Sequence, residues 1–549
     1  MQQVLSLAIL IVWLVATWIR IYKQARFYQI EEYKSNRYLR WLVGERTRWL
    51  PTRPIAAFSI GAVIAFFTDS IPGETAIVPY IACIIAAAVA LTPPDEGEIK
   101  KKFVRTQRAF RMLVAAYMIA ALATLLLLPI TNSLNLDSDR SRAVFAAISG
   151  LSLYLLAPLW LMLGNWVMTP VESFLRRRYL RQAKAVLAAV QPTVIGITGS
   201  YGKTTTKNFL RDILNGRAKT YATPKSYNTM MGVSMAINND LADDYGVEYF
   251  ISEMGAYIPG EIARICSLTP PDISIVVEVG PQHLERFGSL ENIAIAKYEI
   301  IKNLPPDGLG IFNWDNPYVR EMYERGYPAN RIAVSKSISP DAVPENGPRF
   351  IASDIQEDAN GLSFTVTDTK IGESQHFETP VVGEHNVMNL LLATAVAVHE
   401  GMSLRDVAFR VRTLQPAESR LARQTTDNGI TIINDAYSAN PVGVISALRV
   451  LGMYQTGKRL LITPGMVELA DLHEPENRKL GIAATQYATH IILVGSKQTE
   501  PIRQGVLSTD FPQENLQTVE TLSEAVQWYQ ANLQAGDTVL FLNDLPDTY

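Results

Sequence analysis

The chain has 549 residues, with 50 Lys and Arg against 53 Asp and Glu and a net charge of -3 at pH 7. At roughly 150 residues per domain, several folded units are expected. Without an excess of basic residues the chain is not predicted to bind nucleic acid, and its two cysteines, Cys83 and Cys266, cannot form a disulfide framework. We therefore expect a reducing compartment for the soluble part of the chain.

Apolar segments dominate the first third of the sequence, at about 3–19, 54–69, 75–92, 111–130 and 143–167. A membrane-spanning helix needs about 20 apolar residues, and the short second segment is paired with the third across the turn "SIPGE". The sequence predicts five transmembrane helices within residues 1–175. The first segment lacks a convincing cleavage site, so it is predicted to be an anchor and not a removed signal peptide.

Lysine and arginine residues cluster after the first and third predicted spans and again after the fifth, in "RRRYLRQAK". The positive-inside rule places these segments in the cytoplasm, including the loop 94–109, and places the loop 131–142 outside. We therefore expect a multi-pass protein of the plasma membrane whose catalytic domains, after residue 175, are cytoplasmic. Two roles stay open for this region, an anchor alone or a binding site for a lipid-linked substrate. No charged residue lies deep within a span, which disfavours a transporter.

After residue 190, short apolar runs alternate with helical patterns, which predicts an α/β fold with a mostly parallel sheet. The run "TVIGITGSYGKTTTKNFLRDIL" is typical of a strand, a glycine-rich loop and a helix. Backbone N–H groups near Gly199 and Gly202 would approach phosphate oxygens, and Lys203 would neutralise their charge. The hydroxyl of Thr204 would bind Mg²⁺. Ser200 and Thr205 complete the predicted phosphate-binding loop.

The loop "TGSYGKTTT" has Ile197 where the usual phosphate loop has glycine, and this shorter form resembles the loop of the Mur ligases, the ATP-dependent amide-forming enzymes of peptidoglycan synthesis. Folylpolyglutamate synthetase shares the same loop. The resemblance runs from about residue 192 to about 500. It continues through "TPKSYNTMMGVSMAI", "FISEMGAYIPGEI", "GPQHLERFGS", "FNWDNP", "GEHNVMN", "QPAESR", "NDAYSANP" and "PGMVEL". The Glu-x-Gly and Gly-Pro-x-His-Leu-Glu runs are similar to those of members that add D-alanyl-D-alanine.

Hydropathy predicts transmembrane helices in 1–175, and the resemblance implies a central P-loop parallel-sheet ATP-binding domain in 190–380 and a C-terminal Rossmann-like α/β domain in 381–549. It also implies that ATP phosphorylates a substrate carboxylate and that an amine attacks the resulting acyl phosphate. Lys203, His283 and Lys297 would be catalytic. Mg²⁺ would be held by Thr204, Glu253, His283 and a carbamylated Lys297, although a solvated helix lysine is the alternative for Lys297.

The family pattern also assigns contacts to the nucleotide and substrate. Asn313 would lie near the nucleotide, Asn386 would contact the adenine edge, and Arg420 would reach the γ-phosphate. Asp435 would bind the ribose or order a metal-bound water. The substrate residues are Asn228, in the substrate-facing loop, and Tyr437, expected to stack near the base. Buried or salt-bridged structural roles are the alternative for each.

Three departures from the family pattern concern the substrates. No uridine-diphosphate-binding domain precedes the ATP-binding domain, Gly465 replaces a family carboxylate, and the C-terminus lacks the expected Lys-Gly-Ser-Arg run. We therefore expect a small-molecule or lipid-linked peptide carboxylate as acceptor and an amino acid or dipeptide as amine donor. The alternatives are a capsule-type poly-γ-glutamate synthetase and a membrane-anchored ATPase without ligase activity.

Overall fold

The computed structural model describes residues 2–67, 77–92, 103–133, 138–224, 227–416, 420–436 and 440–542. The chain forms two compact units, one up to Arg177 and one from Arg178 onward. Of the two predicted loops, residues 94–102 and 134–137 lie outside the described residues. The described ends of the loop 131–142 belong to helices, and the topology of both loops stays a prediction.

The first unit is built of helices with two apolar clusters. One cluster is centred on Trp13, Tyr80 and Tyr154, and the other on Tyr28, Tyr38 and Leu161. The helices are α1 (Gln2–Ile30), α2 (Ser35–Val43), α3 (Arg46–Trp49), α4 (Thr52–Phe67), α5 (Val78–Ala88), α6 (Gln107–Ser133), α7 (Asp139–Leu155) and α8 (Ala157–Val190), the last of which continues into the second unit.

Among the described residues, α1 and α6 are long and apolar enough to cross a membrane. The helices α7 and α8 meet at a bend of 55° and make a third candidate if the pair is one span. Helices α4 and α5 cover the second and third predicted spans but have only 16 and 11 residues. The five-span arrangement therefore stays a prediction.

The second unit begins with a nine-stranded sheet in the order β2-β3-β1-β4-β5-β6-β7-β8-β9. Strands from β2 to β7 run parallel, while β8 and β9 extend the sheet as antiparallel strands. The strands are β1 (Thr193–Thr198), β2 (Thr220–Ala222), β3 (Tyr249–Glu253), β4 (Ile273–Val276), β5 (Leu309–Asn313), β6 (Asn330–Ser335), β7 (Phe350–Glu357), β8 (Leu362–Asp368) and β9 (Glu373–Thr379).

Apolar clusters cover both faces of this sheet, as expected for parallel strands that are buried on both sides. The helices of this part of the chain are α9 (Lys203–Leu214), α10 (Met230–Ala236), α11 (Glu261–Leu268), α12 (Leu284–Phe287), α13 (Leu290–Lys302), α14 (Pro317–Glu324), α15 (His385–His399) and α16 (Leu404–Val411). Helix α15 is apolar on nearly all sides, and 12 of its 15 residues are buried.

The C-terminal part of the second unit is a six-stranded sheet in the order β10-β11-β15-β12-β13-β14. Only β10 runs antiparallel to its neighbour. The strands are β10 (Ala422–Thr425), β11 (Thr431–Asp435), β12 (Arg459–Thr463), β13 (His490–Val494), β14 (Leu516–Val519) and β15 (Thr538–Leu542), and the helices are α17 (Pro441–Gly452), α18 (His473–Tyr487), α19 (Glu500–Leu507) and α20 (Leu522–Asn532). The predicted α/β fold with two sheets is confirmed.

Candidate active site

The predicted phosphate loop connects β1 to α9. Because β1 lies between β3 and β4, the loop leaves the carboxyl end of the sheet beside two other strand ends, where ligands of open α/β sheets bind. Gly202 has a φ of 77°, and a Cβ placed there would lie 2.5 Å from Oδ1 of Asn389. No other residue fits without strain, and α9 starts at the next residue.

The Lys203 ammonium donates to the carbonyl oxygens of Gly199, at 2.5 Å, and Ser200, at 3.0 Å. It therefore closes the loop on itself and stands where phosphate oxygens would take the place of these carbonyls. The hydroxyl of Ser200 donates to the Gly280 carbonyl at 2.9 Å and accepts from the Gly280 N–H at 3.0 Å. Ser200 thus fastens the loop to the segment after β4.

Four side chains meet at the end of β3. One carboxylate oxygen of Glu253 accepts from Thr204 Oγ1 and from Lys207 Nζ, each at 3.0 Å, and the other oxygen accepts from Asn228 Nδ2 at 3.2 Å. Glu253 and Lys207 are each only 1% exposed. The structure therefore brings together three predicted residues, Thr204, Glu253 and Asn228. Glu253 forms a buried ion pair with Lys207, a residue that the sequence analysis did not select.

Burial alone would raise the pKa of Glu253, but Lys207 and Lys203 outweigh it, and the pKa lies below its ordinary value. An ionised carboxylate beside a threonine hydroxyl is an oxygen donor set that suits Mg²⁺. Within the described ranges no three His, Cys, Asp or Glu side chains converge on one point. The set fits a cation that takes its remaining ligands from phosphate and water.

His283 lies at the start of α12 with a φ of 55°, and its Nδ1 hydrogen-bonds with the carboxylate of Glu468. Its ring contacts Tyr257 edge-on at a centroid distance of 4.7 Å, and Arg286 lies 3.6 Å from Glu468. The hydrogen bond from His283 lowers the pKa of Glu468. Glu468, itself at a φ of 60°, connects the C-terminal sheet to this histidine and was missed by the sequence analysis.

Lys297 lies inside the second unit, with 3% of its surface exposed. Its Nζ is 5.8 Å from the centre of the Phe287 ring. Burial, together with the positive charge of Lys203, lowers the pKa of Lys297 well below its ordinary value. Lys297 is therefore not a solvated helix lysine, which was the alternative considered from the sequence. Its carbamylation stays a prediction.

A cleft opens between the phosphate loop and the start of the C-terminal sheet. Five predicted residues line it, namely Gly202, Thr205, Asn386, Arg420 and Asp435, together with Tyr201, Glu278, His385 and others. Burial raises the pKa of Asp435 to about 6, with Arg420 acting in the opposite direction. Both parts of the second unit therefore contribute polar groups to one cleft.

Asn386 uses its amide within the protein. Its Nδ2 donates to the carbonyl of Val382 at 2.7 Å, and its Oδ1 accepts from Asn389 Nδ2 at 2.9 Å. Asn389 in turn accepts from the hydroxyl of Thr206 on α9 at 3.1 Å. These bonds connect α15 to the helix of the phosphate loop, so the adenine contact proposed for Asn386 would use its remaining hydrogen-bonding capacity.

Asn313 lines a second, neighbouring cleft with Asp315, Lys336 and Glu384. The amide of Asn313 connects the ends of β4 and β5. Its Nδ2 donates to the Val277 carbonyl at 2.9 Å, and its Oδ1 accepts from the Asp315 N–H at 3.0 Å. Glu278 lines both clefts, and burial raises its pKa to about 6. The sequence analysis did not select Glu278. Tyr437, the predicted stacking residue, lies outside the described residues.

Gly465 adopts a φ of 86°, and a Cβ there would lie 2.8 Å from Oδ1 of Asn477. Asn477 is fully buried and bonded to the N–H and the carbonyl of Met466. The backbone therefore favours glycine where the family pattern has a carboxylate.

We expect Gly465→Asp to lower the free energy of unfolding by about 1–3 kcal/mol, because a non-glycine residue is strained at this φ and its Cβ would also meet Oδ1 of the buried Asn477. Pulse proteolysis across a urea series measures the change. Gly372→Asp is the matched control for the backbone strain, since Gly372 has a φ of 72° but nothing within 4 Å of an added Cβ, so it should lose less stability. A Gly465 variant as stable as the wild type would contradict the described backbone.

Comparison with known proteins agrees with this arrangement. Residues 197–397 match the Mur ligase middle domain, and residues 419–543 match the Mur ligase glutamate ligase domain. The two matches include the phosphate loop, the Glu253 cluster, Lys297 and the residues of the C-terminal sheet that line the cleft. The chain belongs to the Mur ligase family, and it is a ligase of the class that forms amide bonds with ATP.

Two curated relatives carry the name UDP-N-acetylmuramoyl-tripeptide--D-alanyl-D-alanine ligase. The protein from Bacillus subtilis is 29% identical over 360 residues, which cover 65% of this chain and 74% of the relative. The protein from Escherichia coli is 31% identical over 316 residues, 57% of this chain and 66% of the relative. The crystal structure of MurF from Acinetobacter baumannii superimposes with a TM-score of 0.57 at 27% identity and covers 67% of this chain and 77% of that one.

Proposed function

We propose that this protein joins D-alanyl-D-alanine, or a related amino acid or dipeptide, to the carboxylate of a cell-wall precursor peptide. The proposal assigns ATP as the phosphoryl donor and Mg²⁺ as its metal ion. The carrying observation is the shared cleft, which Gly202 and Thr205 of the phosphate loop line together with Arg420 and Asp435 of the C-terminal part. The named activity of the relatives supplies the amine donor.

In the first step, a carboxylate oxygen of the acceptor peptide attacks the γ-phosphorus of ATP, and ADP leaves. Both reactants are anions, so the step needs fixed positive charge and alignment more than covalent help from the protein. Lys203 exchanges the carbonyls of Gly199 and Ser200 for phosphate oxygens, and Arg420 approaches the γ-phosphate from the C-terminal sheet. Mg²⁺, when bound, neutralises the charge of the transferred phosphoryl group, and Thr204 and Glu253 would hold it.

In the second step, the amine nitrogen attacks the acyl carbon, the C–O bond to phosphate breaks, and the amine loses a proton. Inorganic phosphate and the new amide are released. We assign His283 and Lys297 the role of positioning the acyl phosphate. The contact between His283 and Glu468 joins the two halves of the second unit beside this site, so we assign Glu468 the role of orienting the His283 ring.

We infer that the first unit anchors the enzyme in the plasma membrane and that the second unit is cytoplasmic. The candidate spans α1 and α6, and the basic segments that flank the predicted spans, support this location. The acceptor is then a soluble nucleotide-linked peptide or a lipid-linked peptide, both of which carry the same carboxylate chemistry.

Two measurements test this function. ADP release by the full-length protein should require both a precursor peptide and the amine, whereas release without amine would indicate an ATPase. Mass spectrometry of precursors from depleted cells should show a peptide that lacks its terminal residues. The soluble or lipid fraction that accumulates this peptide identifies the carrier, and unchanged precursors in both fractions would contradict the proposal.

The proposed carbamylation of Lys297 can be tested with a substitution. Its lowered pKa favours the neutral amine, which is the form that reacts with CO₂ to give a carbamate. We expect Lys297→Ala to lose amide formation and to recover part of it when acetate occupies the vacated carboxylate position. Amine-dependent ADP release with and without acetate measures this recovery.

The control for this variant is Lys302→Ala, which removes an exposed lysine from the same helix and should retain activity. Full activity of the Lys297 variant would contradict a role in catalysis. A folded, inactive variant without recovery by acetate would contradict the carbamate.

A further inference from the structure

The segment after α1 contains two short helices, α2 and α3, that we call the basic platform, residues 34–53. It carries six basic residues, Lys34, Arg37, Arg40, Arg46, Arg48 and Arg53, against one acidic residue, Glu45. The platform begins four residues after the end of α1, a helix long enough to cross a membrane. All of its residues are described by the structure, unlike those of the basic loop 94–109.

One face of the platform is packed against the first unit. Tyr38 and Leu42 are buried, and the Tyr38 hydroxyl hydrogen-bonds with Gln24 of α1. The Tyr38 ring meets Tyr28 edge-on at 4.9 Å, and Trp41 stacks on Phe27 at 4.2 Å. These contacts fix α2 on the last turns of α1.

The second half of the platform is fixed by arginines. Arg20, buried in α1, donates to the carbonyls of Arg48 and Trp49 at 3.2 and 3.0 Å. Arg48 donates to the Trp41 carbonyl at 2.7 Å and lies 4.7 Å from the centre of the Trp41 ring. The outer face of the platform therefore has a defined orientation relative to α1.

The outer face combines apolar and basic side chains. Leu39 and Val43 lie one turn apart and are 41% and 69% exposed, and Trp49 is 43% exposed. Arg40, next to Leu39 in the chain, and Arg46 of α3 are also exposed. The boundary of a bilayer accepts such apolar side chains, and its phosphates bind arginines.

We propose that the outer face of the basic platform binds the headgroups of anionic lipids. The inference rests on the proposed membrane location of the first unit. The occupant is the bilayer because the platform is attached to the end of a candidate span, at the level where headgroups lie, and because its positive charge complements anionic lipid. The leaflet that faces the cytoplasm carries such lipid, in agreement with the predicted orientation.

The test uses the full-length protein in nanodiscs of phosphatidylcholine with a fraction of phosphatidylglycerol. Native mass spectrometry then counts the lipids that remain bound after extraction. We expect wild-type protein to be enriched several-fold in phosphatidylglycerol and Arg40→Gln/Arg46→Gln to lose most of this enrichment. The double variant Arg412→Gln/Arg503→Gln removes the same charge from exposed sites of the second unit and should retain it.

A second variant, Leu39→Ser/Val43→Ser, should reduce retention of both lipids without changing their ratio. Equal phosphatidylglycerol enrichment in the wild type and the Arg40/Arg46 variant would overturn the proposal. A changed oligomeric state of that variant with unchanged lipid would assign the face to a second copy of the chain. Lipid retention needs no ATP, so failure of the ligase proposal would leave this result unaffected.

Discussion

Replacing Lys207 by methionine is expected to lower the free energy of unfolding by about 3–5 kcal/mol, the usual cost of removing one partner from a buried ion pair. Lys207 and Glu253 are each 1% exposed and 3.0 Å apart, so the variant leaves a carboxylate in the interior without its closest cation. Thr204 and Asn228 would still donate to it but carry no charge. Pulse proteolysis across a urea series, with the full-length protein in detergent, measures the loss.

The double variant Lys207→Met/Glu253→Gln is the matched control for this experiment. It removes both charges, so it should recover much of the stability that the single variant loses. It should nevertheless remain inactive, because Glu253 is a proposed ligand of Mg²⁺. A single variant as stable as the wild type would show that Lys207 and Glu253 are hydrated.

Lys203→Ala should reduce amine-dependent ADP release by at least about a hundredfold, in line with the loss of one preorganised group that stabilises transition-state charge. The lysine holds the two loop carbonyls in the absence of nucleotide, and in the proposed mechanism it transfers to the phosphates. The variant should still insert into the membrane, because the first unit is unchanged.

An exposed lysine gives the control for Lys203. Lys219 pairs with Asp244 at the surface, 2.7 Å away, and Lys219→Ala should retain ligation. Near-normal ligation by a correctly inserted Lys203 variant would remove the phosphate-binding assignment. Loss of activity in both variants would indicate a general sensitivity of the domain to lost charge.

The strand, loop and helix around Lys203 were predictable because their signals are local. A short apolar run predicts β1, the glycines predict the loop, and the following pattern predicts α9. Glu253 was predictable for a related reason, since a carboxylate that ends a parallel strand lies at the same edge of the sheet as the loop after β1.

The residues that hydrogen-bond or pair with these predicted residues were not predictable from the sequence, because their positions depend on how helices pack on the sheet and on segments distant in the chain. Lys207 belongs to a helix with an ordinary amphipathic pattern, and its burial against Glu253 depends on how α9 packs beside the end of β3. Glu468 is 185 residues from His283, and both depend on backbone at positive φ. Neither feature leaves a periodic signal in the sequence.

The first third of the chain shows a different limit. Hydropathy predicted five apolar segments, and the helices α4 and α5 cover two of them at less than the usual spanning length. Local composition cannot separate a short span from a helix that packs beside one. By contrast, the buried contacts of α2 with Tyr28 and Gln24 show how the basic residues after α1 are held.

The length of α15 bears on whether this apolar helix could be inserted into a membrane while the chain is being synthesised. If the first apolar helices are inserted as proposed, the insertion machinery later meets "HNVMNLLLATAVAVH", a segment almost as apolar, which must enter the ligase core. Its 15 residues measure about 22 Å, less than the hydrocarbon thickness of about 30 Å, and Asn386 and Asn389 add a polar penalty to insertion. The two asparagines that connect α15 to the helix of the phosphate loop would therefore also disfavour insertion of α15 into a bilayer during translation.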